Sequence, residues 1–219
     1  MQYLLPLFRW LFLGAGSERK LPEDTNEIRA LTPSMAWELA HRKGDLYLDG
    51  LSELPKSVAV SLVEHEGDLH LNGLTTLCDE VAQVLGCHEG ALYLNGLATL
   101  PEGQAKALVR NGGGLHLNGL RSVSEGTARA LARKWGTLSL NGLQTLSDGM
   151  AKAFAQQKGA LHLDGLTILS HEQITALREH LGYVSLKGAA NLPEEIAKGI
   201  DAWDRLMLWD ALVSLKYRS

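Results

Sequence analysis

The chain has 219 residues, 45% of them hydrophobic, and a formal net charge of −4. That is enough apolar material for a large continuous core, and so mild a charge argues against a nucleic-acid surface and against a solvated acidic tail. The two cysteines, Cys78 and Cys87, fall near opposite ends of one short predicted helix, where they cannot bridge. They read as free thiols that suit a reducing compartment such as the cytoplasm.

Residues 1–20 stand apart. Met1 to Leu13 is apolar except for Gln2 and Arg9, short for a membrane span, and without the basic start of an export signal. Two readings stay open. One is an export signal or anchor, giving membrane association through residues 1–13. The other is a docked helix, since Leu4, Leu7, Phe8, Leu11 and Phe12 share helical spacing. Residues 21–44 read as an N-terminal capping half-repeat. Ile28, Leu31, Ala36, Leu39 and Gly44 align with Leu51, Leu54, Ala59, Leu62 and Gly67, but no strand phrase accompanies them. Trp37 is available to pack there.

Residues 45–204 read as seven repeats. Glycine recurs at 50, 73, 96, 119, 142, 165 and 188, a spacing of 23, within phrases such as LHLNGLTTL and LYLNGLATL. A fixed period of this length means one supersecondary unit stacked on itself. Within residues 90–112, Leu92 and Leu94 alternate with polar neighbours, a strand pattern. Asn95-Gly96 then bends the chain, with glycine expected to supply a positive φ. Asn-Gly also signals hairpins, but Leu97-x-x-Leu100 does not alternate, so no returning strand follows. Leu97 and Leu100 are expected to pack inward.

A helix comes next. Its start is marked by Pro55, Cys78, Pro101, Ser124, Ser147, Ser170 and Pro193, with a capping box at Ser170-His171-Glu172-Gln173. Acidic residues follow the start, and His65, His88, Arg110, Lys134, Lys158 and His180 close the helix, matching its dipole. Here His65 and His88 read as surface residues. The buried stripe is Ala59, Ala82, Ala105, Ala128 and Ala151, with Leu62, Leu85, Leu108, Leu131 and Phe154 three residues on. Gly67, Gly90, Gly113, Gly136, Gly159 and Gly182 are expected to terminate the helices. Residues 205–219 read as a C-terminal capping strand opening at Met207. Trp203 and Trp209 are expected to seal the last repeat, since a solenoid needs capped ends.

The phrase L-x-L, the following x-x-L, then Ser/Pro-Asp/Glu and a helix resemble the leucine-rich repeat superfamily over about residues 28 to 215. The pattern is most similar to its cysteine-containing subclass, with Leu (Leu51, Leu74, Leu97, Leu120, Leu143, Leu166) in place of the Cys. The resemblance implies an α/β, right-handed leucine-rich-repeat solenoid with a concave parallel sheet and convex helices. It also implies a scaffold that binds proteins.

In such a coil the positions between and after the strand leucines face the concave side. One row is Tyr47, His70, Tyr93, His116, Ser139, His162 and Ser185; the next is Asp49, Asn72, Asn95, Asn118, Asn141, Asp164 and Lys187. Tyr and His offer rigid contact area and hydrogen bonds, and Asn and Asp offer polar readout, so these residues are the candidate ligand-binding set. They could equally be simple cross-strand ladders. His70, His116 and His162 lie two repeats apart, about 10 Å at the backbone, too far to converge on zinc, so no metal or other cofactor is expected. No nucleophile elbow, phosphate loop or zinc-protease motif is present. The expectation is a non-enzymatic scaffold, monomeric or weakly oligomeric, with a protein or peptide partner and no nucleic acid. The alternatives are a cell-surface or secreted receptor for a carbohydrate or other ligand and a purely structural repeat module.

Overall fold

The computed structural model describes residues 21–189 and the short strand Leu206–Met207. Eight two-residue strands form one parallel sheet in chain order: β1 Leu46–Tyr47, β2 Leu69–His70, β3 Leu92–Tyr93, β4 Leu115–His116, β5 Leu138–Ser139, β6 Leu161–His162, β7 Val184–Ser185 and β8 Leu206–Met207. A 3-10 turn at Thr25–Glu27 precedes α1 (Pro33–Ala40). Between consecutive strands up to β7 lie α2 (Lys56–Leu62), α3 (Asp79–Leu85), α4 (Glu102–Leu108), α5 (Glu125–Leu131), α6 (Asp148–Phe154) and α7 (His171–Arg178). The chain is an α/β solenoid, with the helices packed on one side of an open sheet. Strands stack about 4.8 Å apart and packed helices about 8–10 Å apart, so the coil must bend with the sheet on its inner side.

The register follows the repeat. Leu46 pairs with Leu69, Leu69 with Leu92, and so on to Leu161 with Val184. The Asn-Gly corners therefore lead to parallel neighbours and not to hairpins. At the last pair Val184 faces Leu206, so the closing strand sits one residue earlier than an alignment on Met207 gives. Trp203, Trp209, Pro193 and residues 1–20 lie outside the described residues.

The repeats contribute nearly the same buried set, the Leu100 position being the exception, where Leu54, Leu77 and Val123 are only partly buried. Leu92, Leu94, Leu97, Ala105 and Leu108 are all at 0% exposure, and Leu100 at 6%. The helices start as the capping residues dictate. Ser124, Ser147 and Ser170 accept from the backbone N–H three residues on, and Ser170 completes its capping box with Gln173. Trp37, by contrast, does not pack inward. It is 51% exposed on the outer side of α1 and lies against the His41 ring.

The glycines work differently from the expectation. Among the described residues only Gly44 (φ 86°) and Gly136 (φ 84°) have positive φ. At Gly73, Gly96, Gly119, Gly142 and Gly165 a side chain is excluded by proximity. A Cβ at Gly96 would sit well under 3.0 Å from the backbone oxygens of Asn72 and Leu74 in the preceding coil. The second column does not end the helices either. These close earlier, on right-handed residues such as Val63, Gly86, Val109 and Ala132, each four positions before its glycine. Gly67, Gly90, Gly159 and Gly182 instead each press against the carbonyl of the glycine one repeat before. Two glycine columns thus let successive coils touch backbone to backbone.

Candidate binding face

The inner sheet face carries a continuous stack of rings. Tyr47, His70, Tyr93 and His116 are held in line by parallel pairing of β1 to β4. Their centroids are 4.1, 4.0 and 4.1 Å apart, and the planes tilt by 20°, 8° and 1°. Strand spacing and ring-stacking distance nearly coincide, so four identical backbone positions become one rigid ribbon. Burial lowers the His116 pKa, helped by the like charges of His162 and His70. Burial and the neighbouring Asp68 and Asp45 raise that of Tyr93. His116 and Tyr93 are therefore uncharged at neutral pH. The ribbon stops at Ser139, which is only 4% exposed. His162 lies beyond this gap and contacts the Tyr183 ring at 5.5 Å.

The second candidate row forms a side-chain ladder. Asp49 Oδ1 accepts from the Asn72 N–H (2.8 Å), Asn72 from Asn95 (3.0 Å), Asn95 from Asn118 (2.9 Å), Asn118 from Asn141 (2.9 Å), Asn141 from Asp164 (2.9 Å), and Asp164 from Lys187 (3.1 Å). Asn118 and Asp164 also accept from the hydroxyls of Ser139 and Ser185. Each oxygen thus pairs a backbone donor that the two-residue strand leaves over. One residue that sequence reasoning missed starts the ladder. Asn26, in the half-repeat, accepts from the Asp49 N–H at 3.1 Å. Its signal was available, since it stands 23 positions before Asp49. Thr25 Oγ1 donates to the Tyr47 carbonyl and so covers the edge of β1.

A third row, on the helix side, overturns the expectation of exposed helix ends. His65, His88, Lys134 and His180 are not surface residues; they are 2%, 0%, 1% and 1% exposed. Together with Asn111 and Gln157 they occupy one repeat position. His65 Nδ1 faces the Ala40 carbonyl (3.1 Å), Asn111 donates to Gly90, Lys134 Nζ to Asn111 (2.7 Å), and Gln157 to Lys134 (3.1 Å). His180 Nε2 reaches Gln157 Oε1 at 2.9 Å while its Nδ1 accepts from Gly182. Apart from Ala40 at the end of its helix, these backbone carbonyls lie in the turns that follow the helices, and the row satisfies them. Burial lowers the pKa of His88, Lys134 and His180. Arg110 and Lys158 alone of the expected helix-end bases point outward.

Asn118 and Asn141 also line a shallow depression of about 280 Å³ with Arg121 and Gln144, beside the Asn-Gly corners. Among the described residues no three His, Cys, Asp or Glu side chains converge on a common point. Cys78 and Cys87 are free and exposed. No family model matches the chain, and no curated protein matches it.

Proposed function

We propose that the protein is a non-enzymatic scaffold that engages a protein or peptide across its inner sheet face, resembling in this the leucine-rich repeat superfamily. The observation that carries the reading is the ring ribbon Tyr47–His70–Tyr93–His116. The rings support one another, so a partner that docks on them freezes few side-chain rotamers. Their faces are occupied by one another, so the ribbon presents edges: imidazole nitrogens, phenol hydroxyls and C–H groups. Edges suit the mixed polar and apolar surface of a polypeptide. A sugar seeks an open ring face, which internal rings of the stack do not offer.

The test is partner capture from an extract by the full chain and by a Tyr47→Ala/Tyr93→Ala variant. Both substitutions spare the Asn/Asp ladder and so leave the fold intact. Loss of one or more bound proteins supports the reading. An unchanged set of bound proteins overturns it.

A further inference from the structure

The helix side carries a feature that the fold does not require. Between α5 and α6 and the segments that follow them lies a cleft of about 590 Å³, lined by Arg129, Arg133, Trp135, Lys152 and Lys158 among others. None of its lining residues is acidic, although the chain as a whole carries a net charge of −4. Trp135 is 70% exposed, with Lys158 Nζ 5.2 Å from its ring centroid. Arg129 is partly engaged by Glu125 at 3.6 Å.

The repeat supplies its own comparison. The positions equivalent to Trp135 include Glu66, Glu89 and Gly112, those equivalent to Arg133 include Glu64 and Cys87, and those equivalent to Lys152 include Gln83 and Thr175. Packing therefore tolerates acids, small residues and neutral residues there. The two coils also pair here through backbone beyond the named strands. An additional parallel bridge joins Trp135 to Lys158, and the Gly136 N–H donates to the Lys158 carbonyl at 3.3 Å. This sets the main chains of Trp135 and Lys158 side by side at the rim of the cleft.

We propose that this cleft is a second docking site, for an acidic peptide segment carrying an aromatic or aliphatic side chain beside its carboxylates. The carboxylates match Arg133, Lys152 and Lys158, and the apolar side chain matches the exposed Trp135. The cleft spans two adjacent helices, about 10 Å. That admits one or two peptide side chains, and it is shorter than the run of four or more nucleotides that single-strand binding grooves follow. The site lies away from the sheet face and does not depend on the reading proposed for it.

A fluorescein-labelled peptide alternating Glu and Asp with Phe and Leu is titrated with the full chain, and anisotropy is read. The comparison probes are the same peptide with Lys for every acid, a labelled oligo-dT and phosphatidylserine vesicles. The acidic peptide is expected to bind most tightly, and more weakly as salt rises. Arg133→Glu/Lys152→Glu is expected to weaken it about tenfold and Trp135→Ala several-fold. Lys158→Gln gives a milder loss should the double reversal disturb folding, which far-UV circular dichroism checks. Tyr93→Ala separates the two sites, since it bears on the sheet face and leaves this affinity unchanged. Equal affinity for the acidic and basic peptides overturns the proposal. So does an unchanged affinity in the charge-reversed variant, or tighter binding of the oligonucleotide or the vesicles.

Discussion

Replacing Asn118 with alanine removes one rung of the ladder and tests what holds the coils together. Asn118 Oδ1 accepts two bonds, from the Asn141 N–H at 2.9 Å and from Ser139 Oγ at 2.8 Å. Ser139 is almost wholly buried, so its hydroxyl gains little from water. A buried donor left without its acceptor costs about 1–3 kcal/mol. With two donors affected, one only half-buried, the expected loss is about 2–4 kcal/mol. For a chain of this size that is a drop in Tm of about 4–16 °C. The same row provides the control. Asp164 occupies the equivalent place and accepts from the Lys187 N–H and the Ser185 hydroxyl, so Asn118→Asp retains both acceptors and should lose less than about 1 kcal/mol. Urea unfolding followed by circular dichroism reads both variants. If Asn118→Ala stays within about 1 kcal/mol of the parent, or if Asn118→Asp is as damaging, the ladder is not what holds this interface and the reasoning fails.

Two glycines should respond to alanine with opposite signs. Gly96→Ala forces a methyl into the backbone of the preceding coil and should cost about 1–3 kcal/mol. Gly103 lies within α4 and has open space, with nothing within 4 Å, where a methyl group would go. Alanine there should stabilise by about 0.5–1 kcal/mol; denaturation midpoints decide. Acid should destabilise the fold in a window set by histidines. His88 and His180 have lowered pKa values from burial, so the unfolded chain takes up these protons first. Stability is then full above about pH 6.5 and falls below it by up to about 1.4 kcal/mol per pH unit for each histidine. A urea midpoint identical at about pH 7.5 and about pH 5, either side of that window, would contradict this, and His180→Gln should flatten the profile if the mechanism holds.

The strands and the buried leucines and alanines were legible because each repeats in residue type as well as in position, and the helix starts because Ser or Pro stands at most of them. The glycine period was equally visible, but its meaning was not. A glycine selected for φ and one selected for closeness look the same in a sequence, and only the approach of Gly96 to Asn72 and Leu74 distinguishes them. The row His65, His88, Asn111, Lys134, Gln157 and His180 escaped because it repeats in position while changing in type. What its members share is an N–H donor, not hydropathy, and charge alone suggested an exposed helix end. On the sheet face, the sequence placed Tyr47, His70, Tyr93 and His116 in one row, but whether such a row stacks depends on ring orientation. The Asn/Asp row sat beside it with the same apparent claim to a ligand, yet its oxygens are committed to backbone N–H groups one coil away.

That commitment has a direction. Apart from Thr25, which covers the first edge, the side-chain bonds between coils described above have their acceptor in the earlier repeat and their donor in the later one. The strand backbone bonds run the other way, from an earlier N–H to a later carbonyl as in Leu46 to Asp68, but in the side-chain rows a chain emerging N-terminus first presents the acceptors before the donors that need them are made. Asn26 offers the first, and each coil that settles exposes the next. The molecule can be assembled in the order in which it is synthesised, each turn templating its successor, without waiting for a distant segment to arrive.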